Sequence, residues 1–567
     1  MSAHLGTPGS LPRDYAILSH FVASTVHDVE DQTQKKPQNR TVDSQTGSGA
    51  APRASIRIIP SAPAVTTIMP TENTPLLSTP IPCIAEDVKF SNERDGLDTW
   101  EIFREELVIL MKYSSPVFIT HVFEYSLIVA SVVSIGHLST VALAAATLGS
   151  MTASVSGYSI VQGFASTLDT LLPAAWTSSQ PQLVGLWSQR MLVVTVATLM
   201  PVLMIWFNAE SILLLLRQDP EVAHLAGVYL KWASLGLPAY TFNCISRRYF
   251  QSQGLFAVPT KIILAVAPIN ALLNYVLVWG PEPVRIGFIG APIATAISFN
   301  LISIASVIYG IFHVEKTAWY PISRRSFTGL GLLVQLGLAG VGQTASEWWS
   351  WELIGLAASL LGPVTLATQS VLLISASCTY QAPFALAVAT SVRIGNLLGE
   401  KRARRAGVSA NTAVVLAVAI AVVWSVLFMS FRKSWAYIFN DDPEIVTLVA
   451  SILPLVAVFQ VFDGTSAVAG GILRARGKQF TGALLNLSAY YVIGIPFGIW
   501  LAFKKDMGLV GLWLGLTVSL VYCSAWGIYM CITADWQKEV RKVLDRLAVE
   551  SKNADHIDSE ENEESRF

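Results

Sequence analysis

From about residue 108 to 532 the chain is a series of apolar runs broken by short polar joints. The runs lie at about 113–135, 138–165, 189–207, 221–243, 257–279 and 286–312. Past a basic joint they resume at about 329–356, 364–390, 409–430, 444–467, 480–503 and 508–532. Several are too long and too free of charge to be core helices of a soluble domain. In hydrocarbon a backbone must satisfy its own hydrogen bonds, so each run is predicted to be a helix. The alternating short segments of a membrane β-barrel do not occur. The expected fold is all-α and integral to a membrane, with twelve transmembrane helices in two six-helix lobes.

The flanks differ in character. Residues 1–95 are rich in Pro, Ser, Thr and Ala without a helical period, and read as a disordered cytosolic tail. Their first thirty residues hold no apolar stretch of the kind that marks a cleavable signal peptide. Glu101 to Lys112 mixes Ile102, Phe103, Val108 and Ile109 with Glu101, Arg104, Glu105 and Glu106, an amphipathic lead-in to the first span. The plan is then an N-lobe over 105–313, a cytosolic joint at 314–328, a C-lobe over 329–534 and a polar, solvated cytosolic tail at 535–567. Charge sets the orientation. With the N-terminus in the cytosol, the loops on that side and their flanks hold fifteen Lys and Arg, and the opposite side holds seven. The bias places both termini in the cytosol.

Composition agrees and excludes other classes. Of the 567 residues, 52% are hydrophobic and 14% charged, against about 25% charged in soluble domains. A net charge of −1 gives no case for nucleic acid. The five cysteines, at 83, 244, 378, 523 and 531, form neither a CxxC nor a Cys/His cluster, so no disulfide framework or metal site is expected. No GxxxxGK[ST] occurs, so ATP is not the direct energy source. GxSxG and HExxH are likewise missing, and no enzyme is expected.

The two halves echo each other. Arg247-Arg-Tyr-Phe-Gln-Ser-Gln-Gly254 follows the fourth run, and Gly470-Gly-Ile-Leu-Arg-Ala-Arg-Gly477 follows the tenth, 223 residues later. Leu168-Asp-Thr-Leu-Leu-Pro-Ala-Ala-Trp-Thr177 follows the second, and Thr390-Ser-Val-Arg-Ile-Gly-Asn-Leu-Leu-Gly399 the eighth, at an offset of about 222. An even number of spans per repeat keeps both halves in the same orientation. Such parallel repeats are related by an axis along the membrane normal and can rock about a central cavity.

These segments carry a family resemblance. Leu168-Asp-Thr-Leu171 resembles the "LDTL" signature of eukaryotic multidrug and toxic compound extrusion (MATE) transporters, and 247–254 resembles their "RRYLQAQG". Gln343-Thr-Ala-Ser-Glu-Trp-Trp-Ser-Trp-Glu352 is similar to their seventh helix. Gln369-Ser-Val-Leu-Leu373 and Val392-Arg-Ile-Gly-Asn-Leu-Leu-Gly399 are similar to the eighth helix and its loop. The resemblance spans about residues 105–532, and the long N-terminal tail looks like that of fungal members. There are departures. The family's "LDTLCGQAFG" loop here has Pro173-Ala174 for Gly-Gln and Thr177 for the last Gly. The place where bacterial members often carry a first-helix acid is Ser131, and Glu124 stands where many relatives have Gln.

A charge at the bilayer centre costs roughly 2.5–3.5 kcal/mol on insertion scales, so an acid there faces a cavity, is paired, or is protonated. Desolvation favours the neutral acid, which suits a carboxyl to proton exchange. Four acids fall inside predicted spans: Glu124, Glu347, Glu352 and Asp463. At helical spacing Gln343, Glu347 and Trp351 share a stripe, and a Trp beside a carboxylate suits an organic cation. The resemblance implies that acids at the places of Glu347 and Asp463 couple protons. Glu352 lies about 140° round the helix from Glu347, so both cannot point into one cavity. It stays a candidate through the family's recurring second Glu. For Glu124 a structural role is favoured over a coupling one. Gln369, Tyr380 and Gln381 are second-tier cavity candidates in the C-lobe, and Asn243, Asn270 and Asn274 in the N-lobe, with interhelical hydrogen bonding the alternative for all of them. Asp169, Arg393 and Asn396 read as residues that fix the loops.

The reading is therefore a secondary antiporter that exports or sequesters organic cations, metabolites or toxins in exchange for protons. It needs no cofactor. The proton is the coupling ion, with sodium its rival. A monomer bounded by membrane lipid is expected. Two alternatives stand beside it. One is a lipid-linked oligosaccharide flippase of the same superfamily, which calls for a cationic cavity. The other is a membrane-embedded enzyme, which calls for a clustered constellation. Glu72-Asn-Thr-Pro-Leu-Leu77 resembles an acidic dileucine sorting signal, with Glu72, Leu76 and Leu77 as the residues a sorting adaptor would read. It points to a vacuolar or lysosome-like membrane, with the plasma membrane the alternative.

Overall fold

A computed structural model describes residues 98–564, apart from 137, 440 and 441. The dileucine-like motif at 72–77 lies outside the described residues. Every regular element among the described residues is helical. The first half contains α1 (Thr99–Gly136), α2 (Thr140–Ala153, a π-helical turn at Ser154–Tyr158, then Ser159–Ala165), α3 (Leu168–Trp176), α4 (Leu183–Phe207) and α5 (Ala209–Leu215). It continues with α6 (Pro220–Ala233), α7 (Leu237–Ser252), α8 (Ala257–Trp279) and α9 (Gly290–His313). The second half contains α10 (Leu330–Ser359), α11 (Pro363–Gly399), α12 (Ala403–Ser430) and α13 (Pro443–Ala475). After these come α14 (Gln479–Leu487, interrupted by π-helical segments and running on to Lys504), α15 (Gly508–Ile532) and α16 (Trp536–Glu564). Eight of these helices are long and apolar enough to cross a membrane by length and composition alone. The chain is an integral, multi-pass membrane protein.

Two expectations change. The amphipathic lead-in and the first span are one continuous helix, because Pro116 near its middle does not break it. The C-terminal segment expected to be a solvated tail is helix α16, whose Val540, Val543 and Leu547 are buried in the largest core cluster. Its apolar positions fall three and four residues apart, so one stripe packs.

Local chemistry sets the helix ends, and it repeats between the halves. Asp219 caps α6 by accepting from the backbone N–H groups of Glu221 and Val222, with Pro220 at the first helical position. Asp442 caps α13 by accepting from the N–H of Glu444, with Pro443 in the same role. Such a cap is worth about 1 kcal/mol. Gly254 and Gly477 close α7 and α13 with φ of 78° and 68°. That is the left-handed region, which a residue without Cβ enters without strain.

The halves meet through small residues. A Cβ on Gly340 of α10 would collide with the Gly163 carbonyl of α2 and with Ser166 Oγ, and a Cβ on Gly337 would collide with the Phe164 ring. A Cβ on Gly399 would meet Thr177 Oγ1 and the Ala174 carbonyl. Tyr113, Val117 and Phe118 of α1 pack with Ala385, Val388 and Val392 of α11. These contacts lie in the half of the helices nearest the face that carries the basic loops. The 314–328 joint is pinned to that face. Gln189 donates to the Tyr320 carbonyl at 2.7 Å and accepts from Ser326 Oγ at 2.7 Å.

Candidate substrate and proton site

Seven residues from Gly340, at 1.5 Å rise per residue, Glu347 sits about 10 Å deeper into α10. The Tyr380 hydroxyl of α11 lies beside its carboxyl, in position to donate to it. Asp463 of α13, 8% exposed, is within electrostatic reach of the same carboxyl. Tyr490, on the π-helical continuation of α14, is within electrostatic reach of both acids. Arg474, three turns on from Asp463, acts on Glu347 from a distance. It spends its side chain near Asp169, at 3.7 Å. Four helices thus bring Glu347, Asp463, Tyr380 and Tyr490 together, and neither acid forms an ion pair among the described residues.

The frame of this cluster is polar and aromatic. Asn486 donates to the Gln343 carbonyl at 3.0 Å, and Tyr491 donates to the Ser346 carbonyl at 3.1 Å, which ties α14 to α10. Gln343 Oε1 is buried with no hydrogen-bond partner among the described residues. Its amide lies where a Cβ on Gly482 would be, so the close approach of α14 depends on that glycine. Gln369 accepts from Trp513 Nε1 at 2.8 Å. Trp351 packs edge-to-face against Phe459 and Trp513, so its ring belongs to the aromatic core and not to an open wall. On the same helix Trp348 and Trp349 are exposed. Trp349 donates across the halves to the Val155 carbonyl at 3.0 Å, beside the π-helical turn of α2. Gln381 bonds only its own helix, at the Ser377 carbonyl. Glu352, further along α10, has no ion pair or hydrogen bond among the described residues and does not join the cluster.

The first half has a different centre. Glu124 of α1 accepts from Arg247 Nη1 of α7 at 2.7 Å, and His121 lies 3.3 Å away. A small cavity reaches this pair and is lined also by Thr120, Tyr240, Asn243 and Ser246. Asn243 donates to the Phe299 carbonyl and accepts from Ser303. Asn270 donates to Ser298, and Asn274 donates back to Asn270. Asn270 and Asn274 hold helices α8 and α9 together away from the cavity, whereas Asn243 both bonds α9 and lines it. Ser131 is within hydrogen-bonding distance of Thr295 at 3.0 Å.

The loop residues form a lock at the basic face. Asp169 accepts from Arg248 at 2.9 Å, and Arg474 of the other half faces its second oxygen. Arg393 donates two hydrogen bonds to Glu106, at 2.8 and 2.6 Å, and Arg405 donates a third at 2.6 Å. Burial works against the charge on Glu106, but the two guanidiniums outweigh it and hold its pKa below the usual carboxylate range. The Asn396 carbonyl accepts from Thr177 Oγ1 at 2.7 Å. The residues that depart from the family loop are thus used here, since Pro173 also packs where a Cβ on Gly395 would lie. Arg247, Glu106 and Arg405 were not singled out from the sequence as site residues. Arg247 was visible only as part of a loop motif, and nothing local pointed to its partner 123 residues away.

Comparison with known proteins bears on what this arrangement is. The MatE family model matches twice, over residues 116–276 and 341–500. A protein of Schizosaccharomyces pombe described as an uncharacterized transporter is 37% identical over 446 residues, which is 78% of this chain and 83% of that one. Human multidrug and toxin extrusion protein 1 is 32% identical over 439 residues, which is 77% of this chain and 76% of that one. Among solved structures, the eukaryotic MATE transporter AtDTX14 superposes with a TM-score of 0.74 at 30% identity, covering 78% of this chain and 99% of that one.

Proposed function

The chain belongs to the MatE family of membrane transporters, and from that premise we propose that it is a secondary active antiporter exchanging organic cations, metabolites or toxins for protons. One observation carries the reading. Glu347 and Asp463 lie within electrostatic reach of each other inside the second half, with no cation paired to either. A proton and a cationic substrate are two ways of neutralising the same pair, so they compete for it. Tyr380 is placed to hold the Glu347 carboxyl in either state. The relatives named for multidrug and toxin extrusion support the substrate class.

The cycle follows from the packing. Contacts between the halves concentrate near the basic face, which the charge bias makes cytosolic, along with both termini. Protons enter from the opposite side, neutralise Glu347 or Asp463, and displace the bound cation. The halves then part at the basic face and close at the other. Sodium at the same carboxyls is the competing ion. The membrane this reading favours is vacuolar or lysosome-like, through the motif at 72–77, with the plasma membrane the alternative.

The test is uptake of a fluorescent organic cation into sealed vesicles under an imposed pH gradient, with wild type and Glu347→Gln present in equal amounts. The gradient should drive uptake by wild type and not by the variant. Uptake that responds to sodium and not to pH would replace the coupling ion. A wild type that moves no organic cation under either gradient, but moves a lipid-linked pyrophosphate, would overturn the antiporter reading.

A further inference from the structure

Helix α16 follows the last membrane-crossing helix and lies on the basic face, and the cycle above assigns it no part. Its first turns are footed on the second half. The Trp536 ring fills the space beside Gly407 of α12 and carries the Arg476 guanidinium 5.6 Å from its centre. Arg476 donates to Glu539 at 3.1 Å, both side chains being almost fully buried. Lys478 and Lys542 complete the ring of charge around Glu539, at 3.8 and 3.4 Å. The stripe of Val540, Val543 and Leu547 then packs into the core, and the Arg546 guanidinium covers Gly477.

Eleven residues beyond Glu539, about 16 Å along the axis, the same helix reaches the first half. Glu550 Oε1 lies 2.5 Å from Arg190 Nη1, at the base of α4. Arg190 is held in place by two further bonds, from Nε to the Arg325 carbonyl at 3.2 Å and from Nη2 to Thr328 Oγ1 at 3.4 Å. The guanidinium is buried, whereas the Glu550 side chain is 15% exposed. Such a pair is firm but can part, because one of its members is hydrated as soon as it leaves.

We propose that α16 is a latch across the two halves, anchored on the second half by Trp536 and Glu539, and that its Glu550–Arg190 contact must break each time the halves separate on the basic face. The latch rests on the alternating-access reading. It makes the C-terminal segment part of the transport cycle: whatever weakens the contact favours the state open at the basic face, and whatever fixes it arrests the cycle. The contact works in parallel with Asp169–Arg474 and Glu106–Arg393, which cross the same interface.

The test uses the full chain in nanodiscs, without substrate. Ser391, fully buried where its hydroxyl meets the Asp169 carbonyl at 3.4 Å, becomes the reporter through Ser391→Cys. The rate at which a water-soluble maleimide modifies position 391 is followed by peptide mass spectrometry, with the same reaction on unfolded protein as the reference. Adding Glu550→Gln should raise that rate about 3- to 10-fold, while Glu550→Asp should leave it nearer the starting value. An unchanged rate in Glu550→Gln overturns the latch. If the reporter variant fails to fold, the Arg190→Cys/Glu550→Cys protein supplies a second reading in vesicles. Because the two side chains meet tip to tip, a direct disulfide cannot span the positions; cross-linking with a bis-methanethiosulfonate should stop transport and reduction should restore it. Full-rate transport by the cross-linked protein overturns the proposal. Because the labelling needs no substrate, failure of the antiporter reading leaves its result standing and is separately visible as a wild type that transports nothing.

Discussion

Each half carries an acid centre within its membrane-crossing helices, and the two are built on opposite principles. In the first half Glu124 is 2.7 Å from Arg247, with His121 beside it. In the second half Glu347 and Asp463 have each other and two tyrosines for company, and no paired cation. A carboxylate locked to a guanidinium is already neutralised, and exchanging its partner for a proton strands the arginine. A carboxyl without a fixed cation can be neutralised by whatever arrives. The comparison assigns structure to Glu124 and exchange to the pair in the second half, although all these acids look alike in hydropathy.

The largest expected effect follows directly. Glu347→Gln should lower proton-driven uptake by about 100-fold or more, with thermal stability within error of wild type. Asp463→Asn should fall almost as far. A Glu347→Gln protein that is unstable but fully coupled would collapse the contrast, because the second-half acids would then be structural too.

Glu124→Gln should show the converse. Removing one member of this half-buried ion pair leaves the Arg247 guanidinium without its partner. Thermal unfolding in detergent should therefore shift far downward, whereas the pH dependence of uptake by the surviving protein should not change. The double variant Glu124→Gln/Arg247→Gln should recover most of the stability, and a double variant no more stable than the single one would deny that the pair is the cause. The shift of the pH profile, not the loss of signal, separates the two halves.

The basic-face lock sharpens the comparison at its edge. Glu106 has a folded-state pKa below its unfolded value. Its stabilising contribution is complete above the unfolded pKa, near 4.5, and is lost as pH falls through the folded value. Glu106→Gln should thus destabilise the protein at pH 7, and the gap to wild type should close only as pH falls below the unfolded value and through the folded one. A gap that closed between pH 7 and 5 would mean that this lock titrates over the range in which a transporter works, and so couples to protons itself.

The fold was legible because lipid leaves few choices. Apolar runs had to be helices, and the run at 257–279 matches α8 residue for residue. Legibility stopped where tertiary contacts decide. The sequence showed Gly254 and Gly477 as repeat partners, and both adopt the same left-handed turn. It equally contained Asp219-Pro-Glu221 and Asp442-Pro-Glu444, at the same offset, as twin helix caps that composition alone does not announce. Helix α16 was missed because the acidic residues from Asp558 onward mask an apolar stripe of Val540, Val543 and Leu547 that matters only once there is a surface to meet it. At the site, helical spacing correctly separated Glu347 from Glu352. It could not show that Trp351 turns into the aromatic core, since that depends on Phe459 and Trp513 more than 100 residues away.

Glu352 gives the smallest and most discriminating prediction. It has no ion pair, like Glu347, but it stands apart from Asp463, Tyr380 and Tyr490. If lack of a fixed cation were enough to make an acid couple, Glu352→Gln would uncouple transport as Glu347→Gln does. If coupling needs a second acid and a tyrosine donor within reach, Glu352→Gln should change uptake by less than about 2-fold at any pH. Measuring the two variants side by side across the same pH range therefore distinguishes isolation from partnership as the property that makes a buried acid useful.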